Sequence, residues 1–371
     1  MPQKHETVAR KKIEIQAKGV RIPEELVDEM ENKYNFPGVR FGWMIFCFKA
    51  PDGELLHTFV AGGKFSQESP FHLVKKESRF EIWNNGERYV ELEMTPRPKY
   101  YDLSTSDGTP MVTVATLGSP THMNVVKSMY CLWAEKEKEC TFCAYRQAWA
   151  QVGDKTPLQI AETVQAAVDE GIVEHVSITT GTLPTKDRGI RSISETARAI
   201  TARMDIPIKC SFEPVADLSY LEEAKESGID VVSINIECFD PEVRKVVLPN
   251  AKGRTPLETY IKNWKKCVDL WGRNQVFSVI PAGLGDDEET TLRGAEMLAS
   301  YGVIPWLEPF HPLPGAPWED RKPMDPEKII RLYEGVLSIM DRYDLDLSVT
   351  KAGCVKVGVY GAVKEVQKYG V

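Results

Sequence analysis

Cys131, Cys140 and Cys143 fall within 13 residues, in Cys131-Leu132-Trp133-(x6)-Cys140-Thr141-Phe142-Cys143. The other five cysteines, Cys47, Cys210, Cys238, Cys267 and Cys354, are scattered singly. Three clustered thiols point to metal chemistry. Three thiolates can hold three corners of a four-iron cluster and leave the fourth iron open for a ligand. A structural zinc site needs four protein ligands, and His122 and His175 offer no fourth partner at zinc-finger spacing. Zinc and unliganded cysteines are the competing readings of the same residues.

These residues need a scaffold, and the alternation of elements supplies one. Strands are expected at Asn124–Tyr130, Glu174–Thr180, Ile206–Glu213, Val231–Glu237, Gln275–Pro281 and Val303–Pro309. Amphipathic helices are expected between them, at Leu158–Glu170, Ser192–Arg203, Leu218–Ser227, Leu257–Trp271 and Glu288–Ser300. Strands joined by crossover helices imply a parallel sheet. Within three of these strands polar and apolar residues alternate. Ser177, Thr179, Lys209, Ser211, Glu213, Ser233, Asn235 and Glu237 share one face. A doubly wound sheet buries both faces and reads as continuously apolar. The expected fold is therefore α/β, a partial (βα)6 TIM-type barrel with a polar interior, and the cysteines sit in the first loop at its C-terminal mouth.

The barrel is expected over residues 106–320. Residues 1–105 read as a small N-terminal β-rich domain, with a helix-like stretch at Pro23–Lys33 and strands at Val39–Lys49, Leu55–Val60, Arg79–Trp83 and Tyr89–Met94. Turns at Pro51-Asp52-Gly53 and Asn84-Asn85-Gly86 separate them. Residues 321–371 form a C-terminal extension with a helix over Pro326–Tyr343.

Composition excludes several classes. The chain is 42% hydrophobic and 27% charged with a net charge of −8, which gives no global electrostatic reason to bind nucleic acid or an acidic membrane. Met1–Lys18 lacks the apolar core of a signal peptide, and the apolar run Trp43–Phe48 is too short to span a bilayer. A cytoplasmic protein is expected, in a reducing compartment where disulfides are the wrong first guess.

The cysteine loop resembles that of the radical S-adenosylmethionine (SAM) enzymes, although most of them space their cysteines Cys-x3-Cys-x2-Cys. Here the first gap is eight residues, a widening found in several divisions of that superfamily. Thr180-Gly181-Thr182 resembles the glycine-rich segment that meets the methionine amino group. Phe212-Glu213-Pro214 resembles the signature of biotin synthases, and Gly283-Leu284-Gly285-Asp286 resembles the glycine turn beside the adenine. The resemblance implies that Cys131, Cys140 and Cys143 bind a [4Fe–4S] cluster. It places Phe142, Tyr145, Thr180, Gly181, Thr182, Glu213, Glu237, Arg244 and Gly283 around S-adenosylmethionine. Pro96–Leu103, the wide cysteine spacing and Gly272–Val276 are similar to a biotin-synthase-like group often encoded in nitrilase gene clusters. That group carries further C-terminal cysteines where this chain keeps only Cys354, in Ala352-Gly353-Cys354.

The activity so implied is reductive cleavage of S-adenosylmethionine to a 5′-deoxyadenosyl radical that abstracts hydrogen from a small polar metabolite or cofactor precursor. An electron donor such as flavodoxin or ferredoxin is the implied partner. Lys209, Asn235, Trp306, Glu308 and His311 are the substrate candidates. Cys210 and Cys238 have the opposite strand parity to Glu213 and Glu237 and should point out of the barrel. Rearrangement or carbon–carbon chemistry is therefore favoured over sulfur insertion of the biotin or lipoyl synthase kind, for want of ligands to a sacrificial cluster. Plainer readings stand beside these: Glu213 and Glu237 as ion-pair partners of Lys209 or Arg244, Phe142 as core, and a barrel that holds metal without catalysis.

Overall fold

The alternating strands assemble as one open sheet. The structure is a computed structural model that describes residues 7–134, 138–144 and 153–371. Five strands precede the barrel. Strands β1 (Trp43–Lys49) and β2 (Leu55–Ala61) form an antiparallel hairpin, and β3 (Phe71–Lys76), β4 (Arg79–Asn84) and β5 (Glu87–Leu92) form a meander. The turn between β4 and β5 puts Asn85 and Gly86 at φ 49° and 87°. Two successive left-handed residues match the twist of a tight hairpin.

The barrel sheet follows, with β6 (Thr116–Ser119), β7 (His122–Val126), β8 (His175–Thr179), β9 (Ile208–Phe212), β10 (Val231–Ile234), β11 (Val276–Ala282) and β12 (Ile304–Pro309). Their spatial order is their chain order. β7 to β12 are all parallel, and β6 adds to β7 as an antiparallel edge. Helices Pro157–Asp169, Ile190–Thr201, Ser219–Lys225, Leu257–Trp271 and Glu288–Ser300 make the crossovers, and Pro326–Arg342 follows β12. This is the partial (βα)6 barrel. Its first parallel strand ends at Val126, four residues earlier than expected.

The strand faces divide as the alternation requires. Val176, Ile178, Ile208, Cys210, Val232 and Ile234 are fully buried in the large apolar core, while Ser177, Thr179, Lys209, Ser211 and Asn235 line an interior cavity. A second core lies among Val27, Met30, Phe46, Phe48, Phe71, Phe80 and Ile82.

Helix Val8–Lys18 joins the two cores. Ala9, Ile13 and Ala17 face the barrel core and Ile15 the second one. Fully buried Lys12 pairs with Glu365 of the C-terminal helix Val363–Tyr369 at 2.6 Å and donates to the Gly358 carbonyl at 2.7 Å.

The open sheet leaves a seam between β12 and β6, and residues 359–361 lie beside it. A Cβ on Gly361 would stand 2.5 Å from the β12 carbonyl of Leu307. The Phe59 N–H on β2 donates to the Val359 carbonyl at 2.8 Å. Asn124 on β7 donates through Nδ2 to the Tyr360 hydroxyl at 3.3 Å. Among the described residues, no helix is long and apolar enough to cross a membrane.

Candidate active site

The three cysteines line one wall of the interior cavity, which has a volume of about 570 Å³. Their loop is braced from several sides. The Leu132 N–H donates to the Thr182 carbonyl at 2.7 Å, which fixes Cys131 against the end of β8. Gly181 allows this approach, since a Cβ there would stand 2.0 Å from the Tyr130 carbonyl oxygen and 2.7 Å from the Cys131 Cβ. Thr141 donates both its N–H, at 3.0 Å, and its Oγ1, at 3.1 Å, to the Val247 carbonyl. Asn250 donates through Nδ2 to the Lys138 carbonyl at 2.8 Å and to Cys140 Sγ at 3.6 Å. Phe142 lines the cavity and packs on Cys238, Val247, Leu248, Leu284 and Phe310.

Among the described residues, no three His, Cys, Asp or Glu side chains gather as a single metal ion requires. Each thiolate of a four-iron cubane binds its own iron, so the ligands of a cluster stand further apart than those of a single ion.

Facing the cysteines are the strand ends. Glu213, just past β9, accepts from Trp133 Nε1 at 3.0 Å and from Thr182 Oγ1 at 2.7 Å, so the cysteine loop, β8 and β9 meet on one carboxylate oxygen. Glu237, just past β10, is 5% exposed and sits at φ 63°. A bulky residue in the left-handed region is strained, and such strain concentrates at ligand sites. Its Oε1 accepts from Lys252 Nζ at 2.6 Å, while Oε2 is buried without a hydrogen-bond partner. Burial pushes the Glu237 carboxyl up, against the pull of the Lys252 ammonium. Burial also weighs against the charge on Lys252, but Glu237, then Cys140 and Glu213, hold its pKa well above the ordinary value. Thr180 Oγ1 is a second buried atom without a partner.

The deeper end of the cavity is polar. Lys209 donates to Ser211 Oγ, and Ser211 accepts in turn from Ser233 Oγ at 3.0 Å. Glu308 Oε1 accepts from Trp306 Nε1 at 2.6 Å, and burial pushes the Glu308 carboxyl up to about 7. Burial also brings His311 down to about 4 and holds the Cys354 thiol up at about 12. His311 lies edge-on to Phe59, 5.0 Å between ring centroids, and Phe59 packs on Tyr360 at 5.2 Å.

The cavity thus brings together Cys131, Cys140, Cys143, Phe142, Thr180, Gly181, Thr182, Glu213, Glu237, Lys209, Asn235, Glu308 and His311. Three of the residues singled out in the sequence are not among its lining. Arg244 donates to the carbonyls of Thr255 and Lys252 and to the Tyr260 hydroxyl, each at 3.2 Å, so it braces the turn that carries Lys252. Trp306 is fully buried behind Glu308. Gly283, at φ 106°, packs behind the wall against Met324 and Phe310. Tyr145 lies outside the described residues.

Sequence reasoning missed Trp133, Lys252 and Asn250 near the cysteines, and Asn124, Cys354 and Tyr360 at the deep end. Trp133 was visible inside the cysteine loop. The others carry no local signal, because the fold brings them in from distant turns.

Residues 136–298 match the model of the radical SAM superfamily, a span that contains Cys140 and Cys143 and begins after Cys131. The bacteriochlorophyllide c C-7(1)-hydroxylase of Chlorobaculum limnaeum is 26% identical over 149 residues, 39% of this chain and 37% of the hydroxylase. Biotin synthase of Persephonella marina is 26% identical over 243 residues, 60% of this chain and 69% of that enzyme. The crystal structure of methylornithine synthase (PylB) superposes with a TM-score of 0.46 at 20% identity, over 60% of this chain and 63% of that one. The chain spans well under half of the hydroxylase and about two thirds of the other two. Over residues 136–298 this chain is therefore similar to the radical SAM superfamily, and over 243 residues to a biotin synthase.

Proposed function

We propose that Cys131, Cys140 and Cys143 ligate the cluster, and that the enzyme abstracts hydrogen from a small polar metabolite or cofactor precursor for rearrangement or carbon–carbon bond chemistry. The observation that carries this is one cavity lined both by the three thiols and by the polar faces of four barrel strands. The bound cluster supplies the electron that cleaves the S-adenosylmethionine sulfonium, and so the 5′-deoxyadenosyl radical.

The chain's own residues orient and enclose. Thr180, Glu213 and Glu237 surround the space beside the cysteines. The unpartnered Glu237 Oε2 is suited to accept from a ribose hydroxyl, and the unpartnered Thr180 Oγ1 to meet the methionine end. Phe142 offers its ring to the adenine. The apolar rings of Trp43, Phe59 and Tyr360 keep water from the deeper end, where hydrogen transfer needs an enclosed and oriented partner.

Cys210 and Cys238 pack in apolar clusters, and neither lines the cavity. That favours rearrangement or carbon–carbon bond chemistry over sulfur insertion from a second cluster. Residues 1–105 act as an accessory domain to the barrel at 106–320, with 321–371 as its extension. A flavodoxin or ferredoxin in a cytoplasmic, reducing setting is the electron donor.

The test is an anaerobic assay of the reconstituted protein with dithionite and S-adenosylmethionine. Iron, sulfide and 5′-deoxyadenosine are quantified in the wild type and in Cys140→Ala. A wild-type product that disappears in the variant supports the reading. Zinc in place of iron, under conditions that spare clusters, overturns it.

A further inference from the structure

Several buried ammonium groups among the described residues come with carboxylates, but one that faces the cavity does not. Lys12 pairs with Glu365, Lys127 with Asp154 and Lys252 with Glu237. Lys209 is 8% exposed and lines the cavity, yet no carboxylate among the described residues pairs with it. Its contacts are the Ser211 hydroxyl and the face of Phe277, 5.1 Å from Nζ to the ring centroid. A buried charge left unpaired is costly, so a site that keeps one is built for a counter-charge brought by a ligand.

The position of Lys209 is fixed from behind. Gly353, at φ 91°, lies against its stem, and a Cβ there would stand 2.8 Å from the Lys209 Cγ. The Gly353 N–H donates to His175 Nδ1 at 3.2 Å, which anchors that segment to β8. The acid that faces the ammonium across the cavity is Glu308, which already accepts from Trp306. The Cys354 thiol faces it as well, with Asn124, Asn235 and Tyr360 as the neutral polar lining. Hairpin β1–β2 and the segment around Val359 cover the open side of the barrel, so a ligand here is enclosed and small.

We propose that this deep end binds the substrate through a carboxylate seated on the Lys209 ammonium, and that the substrate class is a small organic acid. The proposal rests on the reading of the cavity as a substrate chamber. Salt pairing to an enclosed, preorganised cation discriminates an acid from its neutral amide of the same shape.

The test measures the melting temperature of the anaerobic, cluster-loaded enzyme with three- to six-carbon carboxylic acids, unsubstituted, 2-hydroxy and 2-amino, and with their primary amides. Chloride and sulfate serve as simple-anion controls. At least one acid is expected to raise the melting temperature by a few degrees, by preferential binding to the folded state, and its amide by none. Lys209→Met is expected to abolish the rise and Lys209→Arg to keep part of it. The wild-type comparison of acid with amide decides alone if Lys209→Met does not fold. Absence of a rise with every acid, equal rises from acid and amide or from the simple anions, or an undiminished rise in a folded Lys209→Met would each overturn the proposal. Iron, sulfide and 5′-deoxyadenosine measured on the same preparation report separately on the radical reading.

Discussion

Replacing Gly181 by alanine should detach the cluster while leaving the barrel standing. The added Cβ would lie 2.0 Å from the Tyr130 carbonyl oxygen, 2.7 Å from the Cys131 Cβ and 2.8 Å from the Tyr130 carbonyl carbon. None of these is the free end of a flexible side chain. The carbonyl must withdraw by about 1 Å to restore an ordinary contact, and Cys131 follows directly in the chain. Overpacking of this kind costs about 1–3 kcal/mol, within the reserve of a folded protein. A displacement of about 1 Å in a reacting constellation costs on the order of 100-fold in rate. Gly181→Ala is thus expected to fold with a lowered melting temperature, to retain well under half of the wild-type iron and sulfide after anaerobic reconstitution, and to form ~100-fold less 5′-deoxyadenosine. Gly153→Ala, whose Cβ would meet nothing within 4 Å, is the control. Wild-type iron content and product yield in Gly181→Ala would refute the placement of Cys131 against β8 as the basis of the site.

Three further outcomes follow from the same geometry. Glu308, raised by burial from 4.5 to about 7, favours the folded state while protonated, so its contribution is full below pH 4.5 and is lost as pH rises through 7. That shift is worth roughly 3 kcal/mol, and Glu308→Gln should match the wild type in melting temperature near pH 4.5 and exceed it increasingly toward pH 8; parallel curves would contradict this. Lys12→Met leaves the Glu365 carboxylate buried without its partner and should cost about 3–5 kcal/mol in denaturant unfolding, while adding Glu365→Leu recovers most of the loss. Trp133→Phe removes one of the two donors to Glu213 and should raise the KM for S-adenosylmethionine ~10-fold with little change in melting temperature, since a hydrogen bond to a charged group is worth about 1.5–3 kcal/mol; an unchanged KM would separate Glu213 from S-adenosylmethionine binding.

Much of the barrel was legible in the sequence because its strands carry a two-residue period. The polar face Ser177, Thr179, Lys209, Ser211 and Asn235 pointed inward where the alternation placed it. Helices Leu257–Trp271 and Glu288–Ser300 have the expected bounds, each with an apolar stripe between clear stops. Helix Val8–Lys18 escaped notice because it buries residues against two cores at once. Its burial of Lys12 and Gln16 beside Ile13 and Ile15 leaves no one-sided stripe to read. β6, of four residues, is too short for a period to show.

Strand position picked out Glu213 and Glu237, which line the cavity, but not the cation that pairs with one of them. Arg244 and Lys252 both follow Glu237 in the chain. Asp240 caps the short helix Pro241–Val247 and turns Arg244 toward Tyr260, while the next turn delivers Lys252 to Glu237. Nor does local sequence reveal that Ala352-Gly353-Cys354 reaches the cavity. Its place depends on Gly353 against Lys209 and on Tyr360 against Asn124, contacts between residues more than 100 positions apart.

The most direct test of the central claim, that three thiolates hold a four-iron cluster with one iron open, is low-temperature electron paramagnetic resonance of the reduced protein with and without S-adenosylmethionine. About four irons per chain are expected, with a signal whose g-values move when S-adenosylmethionine is added and which is lost in each of Cys131→Ala, Cys140→Ala and Cys143→Ala. A full cluster that survives all three substitutions, or a signal indifferent to S-adenosylmethionine, would contradict the account.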